Sequence, residues 1–313
     1  MDIKHIAKSG VKFLIDPNYR FRILAAKGVY KNMPDEEYLK KLYKAHFGKE
    51  LNLENPQTYN EKLQWLKLYY RRPDYTMMAD KLAVRPYIAE KIGEEHLVPL
   101  LGVWESADDI DFDALPEQFV LKCNHNSGLG LCICKDKSTL NIKKVRSELE
   151  KGLKQDFFTV SREWQYKDIP HRILAEKYLK DEKQNEKSGI INYKVTCFNG
   201  EPKYIYVSSN IEGKKNDRLS LLTPEWENAP FTHKRYKPFD TLPPKPLNYD
   251  KMLEYSRILS ETIPCLRVDF YEVGGQLYFS ELTFNTAGGF TQYSPDESGA
   301  LIGSWLTLPP KWK

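Results

Sequence analysis

Two acidic side chains near the end of the sequence lie in strand-like runs and are the first residues that suggest chemistry. Strand alternation places Arg267 and Asp269 on one face of the first run, and Glu281 lies in the second. Gly274-Gly275 joins the two runs. A two-residue turn there would send the carboxylates to opposite faces, whereas a three-residue loop or a bulge would set them directly opposite each other.

Carboxylates that face each other at this distance repel, so the pair needs a cation between them. We therefore predict an odd loop or a bulge, with Mg²⁺ held by Asp269 and Glu281. Oxygen ligands on rigid strands, completed by phosphate and water, suit this ion. The alternative is a solvated hairpin face with scattered charges, and the hairpin alone does not decide between the two.

A lysine in the middle of an apolar run is the second candidate. Lys122 is the fourth residue of the run Phe-Val-Leu-Lys-Cys, and the small-residue loop 124–130 follows at once. Backbone N–H groups of such a loop can approach phosphate oxygens while the lysine supplies a charge. The loop lacks the order of a P-loop and does not open a helix as a dinucleotide fingerprint must. His125 within it is either a general base or a structural hydrogen-bonding residue.

Helices are predicted before these residues and alternating strands around them. Residues 1–75 are predicted to be helical, with a capping box at Thr58 and Glu61, and a further helix spans about Tyr75 to Ile92. Strands are predicted at 119–123, 129–134, 173–176, 190–198, 204–207, 265–273 and 276–282, and helices at 142–155 and 249–260. Asn199-Gly200 indicates a hairpin turn. Residues 210–247, rich in proline, are predicted to form a long surface loop.

Length and charge limit the class of protein. A chain of 313 residues suggests about two domains. The net charge of +4 suits small anionic substrates and gives no clustered basic face, so we expect no nucleic-acid partner. No apolar run is long enough to span a membrane. Five cysteines without framework spacing, and a start without a secretory pattern, favour a cytoplasmic protein.

Taken in order, these motifs resemble the ATP-grasp superfamily. More closely, the chain resembles the TupA-like ATP-grasp family, linked to teichuronopeptide and other cell-surface polysaccharide synthesis. The resemblance covers about residues 15–300. It depends on segments 53–65, 80–81, 122–128, 193–200, 267–271 and 281–284.

The resemblance implies an α+β fold in which two lobes clasp ATP, preceded by a helical N-terminal extension. The corresponding division is 1–75 for the helical region, 76–172 for a small lobe with the phosphate loop, and 173–313 for a large lobe with the metal site. Loops 124–130 and 210–245 are candidates for a lid over the site.

The resemblance also implies roles for individual residues. Arg267 and Lys122 would act on the transferring phosphoryl group, and Asp269 and Glu281 would hold Mg²⁺. The expected ATP contacts are Lys81, Lys122, Asn126, Ser127, Gly128, Gly130, Glu176, Tyr178 and Lys194, with Asp181 or Glu182 near the ribose. One departure is that many relatives place asparagine two residues after the second acid, where this chain has Thr283. Asn285 comes two residues later, so a second metal would be weaker or differently bound.

The activity implied is that of an ATP- and Mg²⁺-dependent carboxylate–amine ligase that works through an acyl phosphate. Its partners would be a small-molecule or glycan acid and an amine, so that an amino acid or amine is joined to an acidic sugar. The alternatives are an ATP-dependent kinase of a sugar or amide, a glycosyltransferase, and a binding protein with a degenerate nucleotide site. The two substrates and the oligomeric state stay open.

Overall fold

The computed structural model describes residues 10–181, 190–209 and 218–312. The helices that frame the molecule are α1 (Pro17–Ala26), α2 (Asp35–Phe47), α3 (Tyr59–Tyr69), α4 (Asp74–Ala79), α5 (Val84–Ile92), α6 (Ile142–Leu153), α7 (Phe157–Ser161), α8 (Tyr249–Ser260) and α9 (Ser298–Ser304). The strands are β1 (Leu100–Trp104), β2 (Phe119–Cys123), β3 (Leu131–Cys134), β4 (Ile173–Lys177), β5 (Asn192–Phe198), β6 (Glu201–Ser209), β7 (Arg218–Leu222), β8 (Thr232–His233), β9 (Cys265–Val273), β10 (Gln276–Thr283) and β11 (Tyr293–Ser294). Within the described ranges, no helix is long and apolar enough to cross a lipid bilayer.

The N-terminal helices follow the sequence signals for helix ends. The capping box at Thr58 and Glu61 is present at the start of α3, with both reciprocal hydrogen bonds formed. Gly48 ends α2 with a φ of 69°, in the left-handed region that glycine tolerates. Helices make up most of the described residues before 75, but 27–34 and 48–58 are turns and irregular segments. Residues 1–9 lie outside the described part.

The predicted helix over 75–92 is wrong in one respect, because it is two helices with a break. Asp80 Oδ1 accepts hydrogen bonds from the backbone N–H of Leu82 at 2.8 Å and from the side-chain amide of Asn124 at 2.9 Å. An aspartate that captures backbone N–H groups competes with the helical hydrogen-bond pattern. The break between α4 and α5 leaves Lys81 on a turn beside the loop that follows β2.

A four-stranded antiparallel sheet contains β2, with the strand order β1-β4-β2-β3. One face is buried: Phe119 and Leu121 of β2 pack against Leu149 of α6. The other face carries Lys122. β4, which the predicted division assigned to the large lobe, lies between β1 and β2 in this sheet. The division of the chain into lobes at residue 172 stays a prediction.

A five-stranded antiparallel sheet has the order β10-β9-β5-β6-β7. The predicted hairpin turn at Asn199-Gly200 is confirmed: both residues have positive φ, 49° and 87°, and Phe198 lies opposite Glu201. The predicted loop over 210–247 is wrong at β7, which pairs with β6 and buries Leu219 and Leu221. The nearby prolines made the segment resemble a loop in the sequence, so this short strand was not predicted. Residues 210–217 lie outside the described ranges.

The two faces of the large sheet are covered differently, and this decides where a site can form. Residues such as Val195 and Val268 lie on a face that α4, α5 and α8 cover with apolar side chains. On the opposite face, α3 and α9 cover only one end, where they pack on Tyr204 and Tyr206. The other end of this face carries charged side chains.

Candidate active site

The hairpin of β9 and β10 brings the two acids together. Gly274-Gly275 forms a two-residue turn, and the pairing then shifts by one residue between Phe279 and Glu281. This bulge places Glu281 directly opposite Asp269. The prediction that an odd loop or a bulge makes the carboxylates face each other is confirmed, and the structure uses the bulge.

Arg267 lies against both acids. Its Nε and Nη2 donate to the two carboxylate oxygens of Asp269 at 2.6 and 2.7 Å. Nη2 also donates to Glu281 Oε1 at 3.2 Å and to the hydroxyl of Thr283 at 3.1 Å. From the neighbouring strand β5, Lys194 Nζ is 3.1 Å from Asp269 Oδ2. Burial would lower the pKa of Arg267, but Asp269 and Glu281 raise it, so the guanidinium stays charged.

Glu281 is ionised because basic residues surround it. Burial would raise the pKa of Glu281, but the charges of Lys81, Arg267, Lys194 and Lys122 outweigh burial and lower it to about 2. Lys81 Nζ lies 4.0 Å from Glu281 Oε2 and donates to the carbonyl oxygen of Asn126 at 2.7 Å. This lysine therefore connects the large sheet to the loop after β2.

The open face of the small sheet carries a second charged group. Lys122 Nζ is 2.6 Å from Glu176 Oε2, and Arg85 Nη1 is 3.6 Å from Glu176 Oε1. The strand register places Leu131 and Ile133 on this same face, 50% and 40% exposed. Exposed apolar side chains beside a lysine form a surface on which a flat ring with an attached anionic group can pack.

The loop between β2 and β3 is anchored at its ends and open at its tip. Asn126 Nδ2 donates to the carbonyl oxygen of Gly152 on α6 at 3.0 Å. Gly130 has a φ of 67°, and a Cβ there would lie 2.5 Å from Cys123 Sγ, so only glycine fits. The tip residues 127–129 are exposed, as backbone that is to approach a ligand must be.

The sequence matches the TupA-like ATP-grasp family over residues 61–307, well over half of the chain. The chain belongs to the TupA-like ATP-grasp family. Its mixed helices and antiparallel sheets are those of the ATP-grasp fold, as predicted. No curated protein matches this sequence.

Solved structures with some likeness include D-alanine–D-alanine ligases. The Bacillus anthracis enzyme complexed with ATP is 16% identical with a TM-score of 0.41, over 66% of this chain and 55% of that one. The Helicobacter pylori enzyme is 12% identical with a TM-score of 0.42, over 80% and 70%. This chain thus spans just over half the length of the Bacillus ligase. TM-scores this low say nothing about shared chemistry.

In this TupA-like protein, the acid pair fits magnesium better than a metal that needs many protein ligands. Within the described residues, no three His, Cys, Asp or Glu side chains are grouped as metal ligands. Asp269 and Glu281 supply two facing carboxylates. Mg²⁺ is commonly bound by one or two carboxylates with phosphate oxygens and water, so the donor set fits Mg²⁺ that arrives with a nucleotide.

The structure also describes His125, Tyr178 and Asp181, which the sequence analysis considered for the site of the TupA-like protein. His125 is buried, with Nε2 3.2 Å from the carbonyl oxygen of Gln155 and its ring stacked on His171 at 3.5 Å. These contacts favour the structural alternative. Tyr178 comes directly after β4 and Asp181 three residues later, and Glu182 lies outside the described residues.

Thr283 and Asn285, at the departure from the family pattern, separate in the structure. The hydroxyl of Thr283 donates to Glu281 Oε1 at 3.2 Å and accepts from Arg267, so it belongs to the acid cluster. Asn285 is buried, and its carboxamide oxygen accepts from Gln165 Nε2 at 3.3 Å. The TupA-like chain therefore places the hydroxyl of Thr283, and not the amide of Asn285, in the acid cluster.

Three residues that the sequence analysis did not select belong to the site of this TupA-like protein. They are Arg85, Leu131 and Ile133. Arg85 lies four residues after Lys81, a spacing that could have signalled it. The alternation of Leu131 and Ile133 with cysteines indicated a strand but not which face stays uncovered.

Proposed function

We propose that this protein is an ATP- and Mg²⁺-dependent carboxylate–amine ligase. The observation that supports this most is the facing pair Asp269 and Glu281, set among the charges of Lys81, Lys194 and Arg267. Carboxylates and basic side chains in one cleft are the parts that phosphoryl transfer requires, since it depends on positioning and charge neutralisation.

ATP would bind between the two sheets. Leu131 and Ile133 would support the adenine, and Glu176 and Tyr178 would flank it. Lys122 and Lys194 would contact the phosphates, with the loop 124–130 folded over them. Asp269 and Glu281 would hold Mg²⁺, which neutralises phosphate charge when bound. Lys81 Nζ lies 4.0 Å from Glu281 Oε2 and donates to the carbonyl oxygen of Asn126 at 2.7 Å, so the acid cluster and the loop after β2 border one space.

The reaction follows from this arrangement. A carboxylate oxygen of the acid substrate attacks the γ-phosphorus, the bond to the β-phosphate oxygen breaks, and ADP leaves. Arg267 stabilises the charge on the transferring phosphoryl group. The amine nitrogen then attacks the acyl carbon, the carbon–oxygen bond to phosphate breaks, and an amide and inorganic phosphate form. The acid is proposed to be an acidic sugar of a cell-surface polysaccharide, as the resemblance to TupA-like proteins implies.

ADP release measured with ATP and Mg²⁺ tests the activity. We expect release that requires a uronic acid together with an amino acid or amine, and an amide product by mass spectrometry. A stable phosphorylated product without amine would instead indicate the kinase. Stabilisation by a UDP-sugar and not by ATP would indicate the glycosyltransferase.

A matched pair of variants tests the residues. Asp269→Asn with Glu281→Gln should abolish turnover, because both carboxylates of the proposed Mg²⁺ site lose their charge. Asp250→Asn with Glu254→Gln changes the same charges at exposed positions of α8 and should leave turnover intact. If the first double variant released ADP at the wild-type rate, the site assignment would be wrong.

A further inference from the structure

A cavity of about 430 Å³ extends from the acid cluster towards the N-terminal helices. Arg267, Glu281 and Thr283 line its inner end, and Arg22, Tyr38 and His46 line its outer wall. These last three residues precede residue 61, where the family match begins. The helices α1 and α2 therefore complete the cavity with residues that lie outside the family match.

The outer wall is fixed to the rest of the protein by Arg162. Its side chain is 1% exposed, its Nε is 3.2 Å from Asp35 Oδ1, and its guanidinium lies 4.3 Å from the ring of Tyr38. Nη2 donates to the carbonyl oxygen of Tyr30 at 2.8 Å. The hydroxyl of Tyr38 donates to the carbonyl oxygen of Val160 on α7 at 2.7 Å. A wall held by buried hydrogen bonds of this kind is preformed, as ligand sites commonly are.

Arg22 gives this wall a positive charge that can accept an anion. Its Nε is shielded from solvent and has no hydrogen-bond partner among the described residues. Its guanidinium carbon lies 5.8 Å from the ring of Tyr19. Burial and the charges of Arg22 and Lys67 lower the pKa of His46 to about 4, so His46 is neutral and adds no second positive charge beside Arg22. A guanidinium with a free donor edge matches a carboxylate.

Glu163 contributes a buried carboxyl group to the wall of the cavity. Its side chain is buried, and Gln165 Nε2 is 3.4 Å from Oε2. In the described part of the chain, no basic nitrogen lies within 4.0 Å of this carboxylate. The buried Lys67 instead donates to the carbonyl oxygens of Ser161 at 2.8 Å and Gly288 at 2.6 Å. Burial makes the ionised form of Glu163 costly, and the charge of Lys67 offsets this only in part, because the pKa of Glu163 stays raised. An ammonium group on a ligand would stabilise the carboxylate further.

The remaining walls are rings and small polar groups. Phe157, Tyr166 and Phe290 line the cavity, and Phe290 stacks on the ring of His46 at 4.6 Å. Such walls give room for an apolar side chain between the charged ends. The cavity thus offers a guanidinium and a carboxylate to one ligand that carries the opposite pair of charges.

We propose that this cavity binds the amine substrate, that this substrate is an amino acid, and that Arg22 holds its carboxylate while Glu163 contacts its ammonium group. The proposal rests on the ligase function above. Glu163 takes one proton from the ammonium group, and the freed nitrogen attacks the acyl carbon of the acyl phosphate. The carbon–oxygen bond to phosphate then breaks, phosphate leaves with the bonding electrons, and the leaving phosphate takes the second proton that the nitrogen must lose to form the amide. Burial raises the pKa of Glu163, which suits a proton acceptor.

Direct binding tests the anion contact without any turnover. The twenty common amino acids are titrated singly into the full chain with Mg²⁺ and a non-hydrolysable ATP analogue, followed by calorimetry. Arg22→Met should weaken binding of the accepted amino acid at least tenfold, because a charge-assisted contact is lost. It should not weaken binding of the same compound as its carboxamide. Lys27→Met removes an exposed charge just after α1 and should change neither. Equal affinities of wild type and Arg22→Met, or no amino acid bound, would overturn the proposal.

Hydroxylamine tests Glu163 separately from the ligase function. Hydroxylamine is uncharged at neutral pH and captures acyl phosphates without a base. Glu163→Gln should lower kcat for the amino acid about 100-fold, in the range for loss of a general base. It should leave hydroxamate formation and the KM for ATP near wild-type values. Equal losses with both nucleophiles would show that Glu163 is not the proton acceptor. No hydroxamate from wild type would instead refute the ligase function.

Discussion

Replacing Glu281 by glutamine keeps the size of the side chain and removes one negative charge from the cluster. In the structure this carboxylate accepts from Arg267 and from Thr283, each at 3.2 Å, and lies 4.0 Å from Lys81 Nζ. Basic residues therefore surround the position, and a neutral amide there leaves them with less compensation. We expect Glu281→Gln to destabilise the fold at neutral pH.

The magnitude follows from the pKa of Glu281. Burial opposes ionisation, but the basic neighbours lower the pKa from 4.5 to about 2, which corresponds to about 3.4 kcal/mol at about 1.36 kcal/mol per pKa unit. The side chain is 31% exposed, so screening by solvent reduces this figure. We expect a loss of about 1–2 kcal/mol in the free energy of unfolding at pH 7. Because the folded-state pKa is lowered, the stabilisation is present above pH 4.5 and is lost as the pH falls towards 2.

Urea unfolding at pH 7, and at intervals below pH 5, measures this difference. The variant should have a lower midpoint at pH 7 with an unchanged slope. Its midpoint should approach that of wild type as the pH falls from 4.5 towards 2. Glu254→Gln, at an exposed position of α8, serves as the charge-matched control. A Glu281→Gln variant as stable as wild type at pH 7 would refute the reasoning, since burial would then outweigh the basic neighbours.

Three further predictions concern the small sheet and its loop. Lys122→Met should weaken ATP binding at least tenfold by calorimetry, because a phosphate contact is lost, whereas the exposed Lys135→Met should not; equal effects would contradict the assignment. Gly130→Ala should cost about 3 kcal/mol in urea unfolding, because its φ of 67° and the contact with Cys123 Sγ both oppose a Cβ. Gly128→Ala, with a φ of 90° and no atom within 4 Å of the added Cβ, should cost only about 1–2 kcal/mol. A larger loss for Gly128→Ala than for Gly130→Ala would exclude steric contact as the cause. Burial lowers the pKa of His125 from 6.5 to about 4, so the stability of wild type should fall as the pH drops through that window. His125→Gln should lose less stability across the window, by up to about 1.4 kcal/mol per pH unit; parallel curves would rule out His125 as the source.

Several parts of the fold could be predicted because their signals are local. The capping box at Thr58 depends on two residues three positions apart, and the Asn199-Gly200 turn on backbone preferences of two adjacent residues. The break at Asp80 could not be predicted in this way. It depends on a hydrogen bond from Asn124, more than 40 residues along the chain. β7 was missed for a similar reason, because its strand character comes from pairing with β6.

The candidate site could also be predicted only in part from the sequence. The sequence alone selected Asp269, Glu281 and Arg267, because strand alternation and loop length restrict where their side chains can lie. It left the register of the two strands open, because a shift of one residue turns each side chain to the opposite face of the sheet. Only the bulge before Glu281, set by pairing along the whole hairpin, made the carboxylates meet.

The sequence by itself therefore determined the family, the residues proposed for the candidate site and most of the local elements. The tertiary structure alone decided which charges meet. It paired Lys122 with Glu176, and it brought Arg22 and Glu163 to one cavity from segments about 140 positions apart. Such meetings depend on how helices and sheets pack, and that packing is the sum of many weak contacts. No pattern within a short stretch of sequence carries this information.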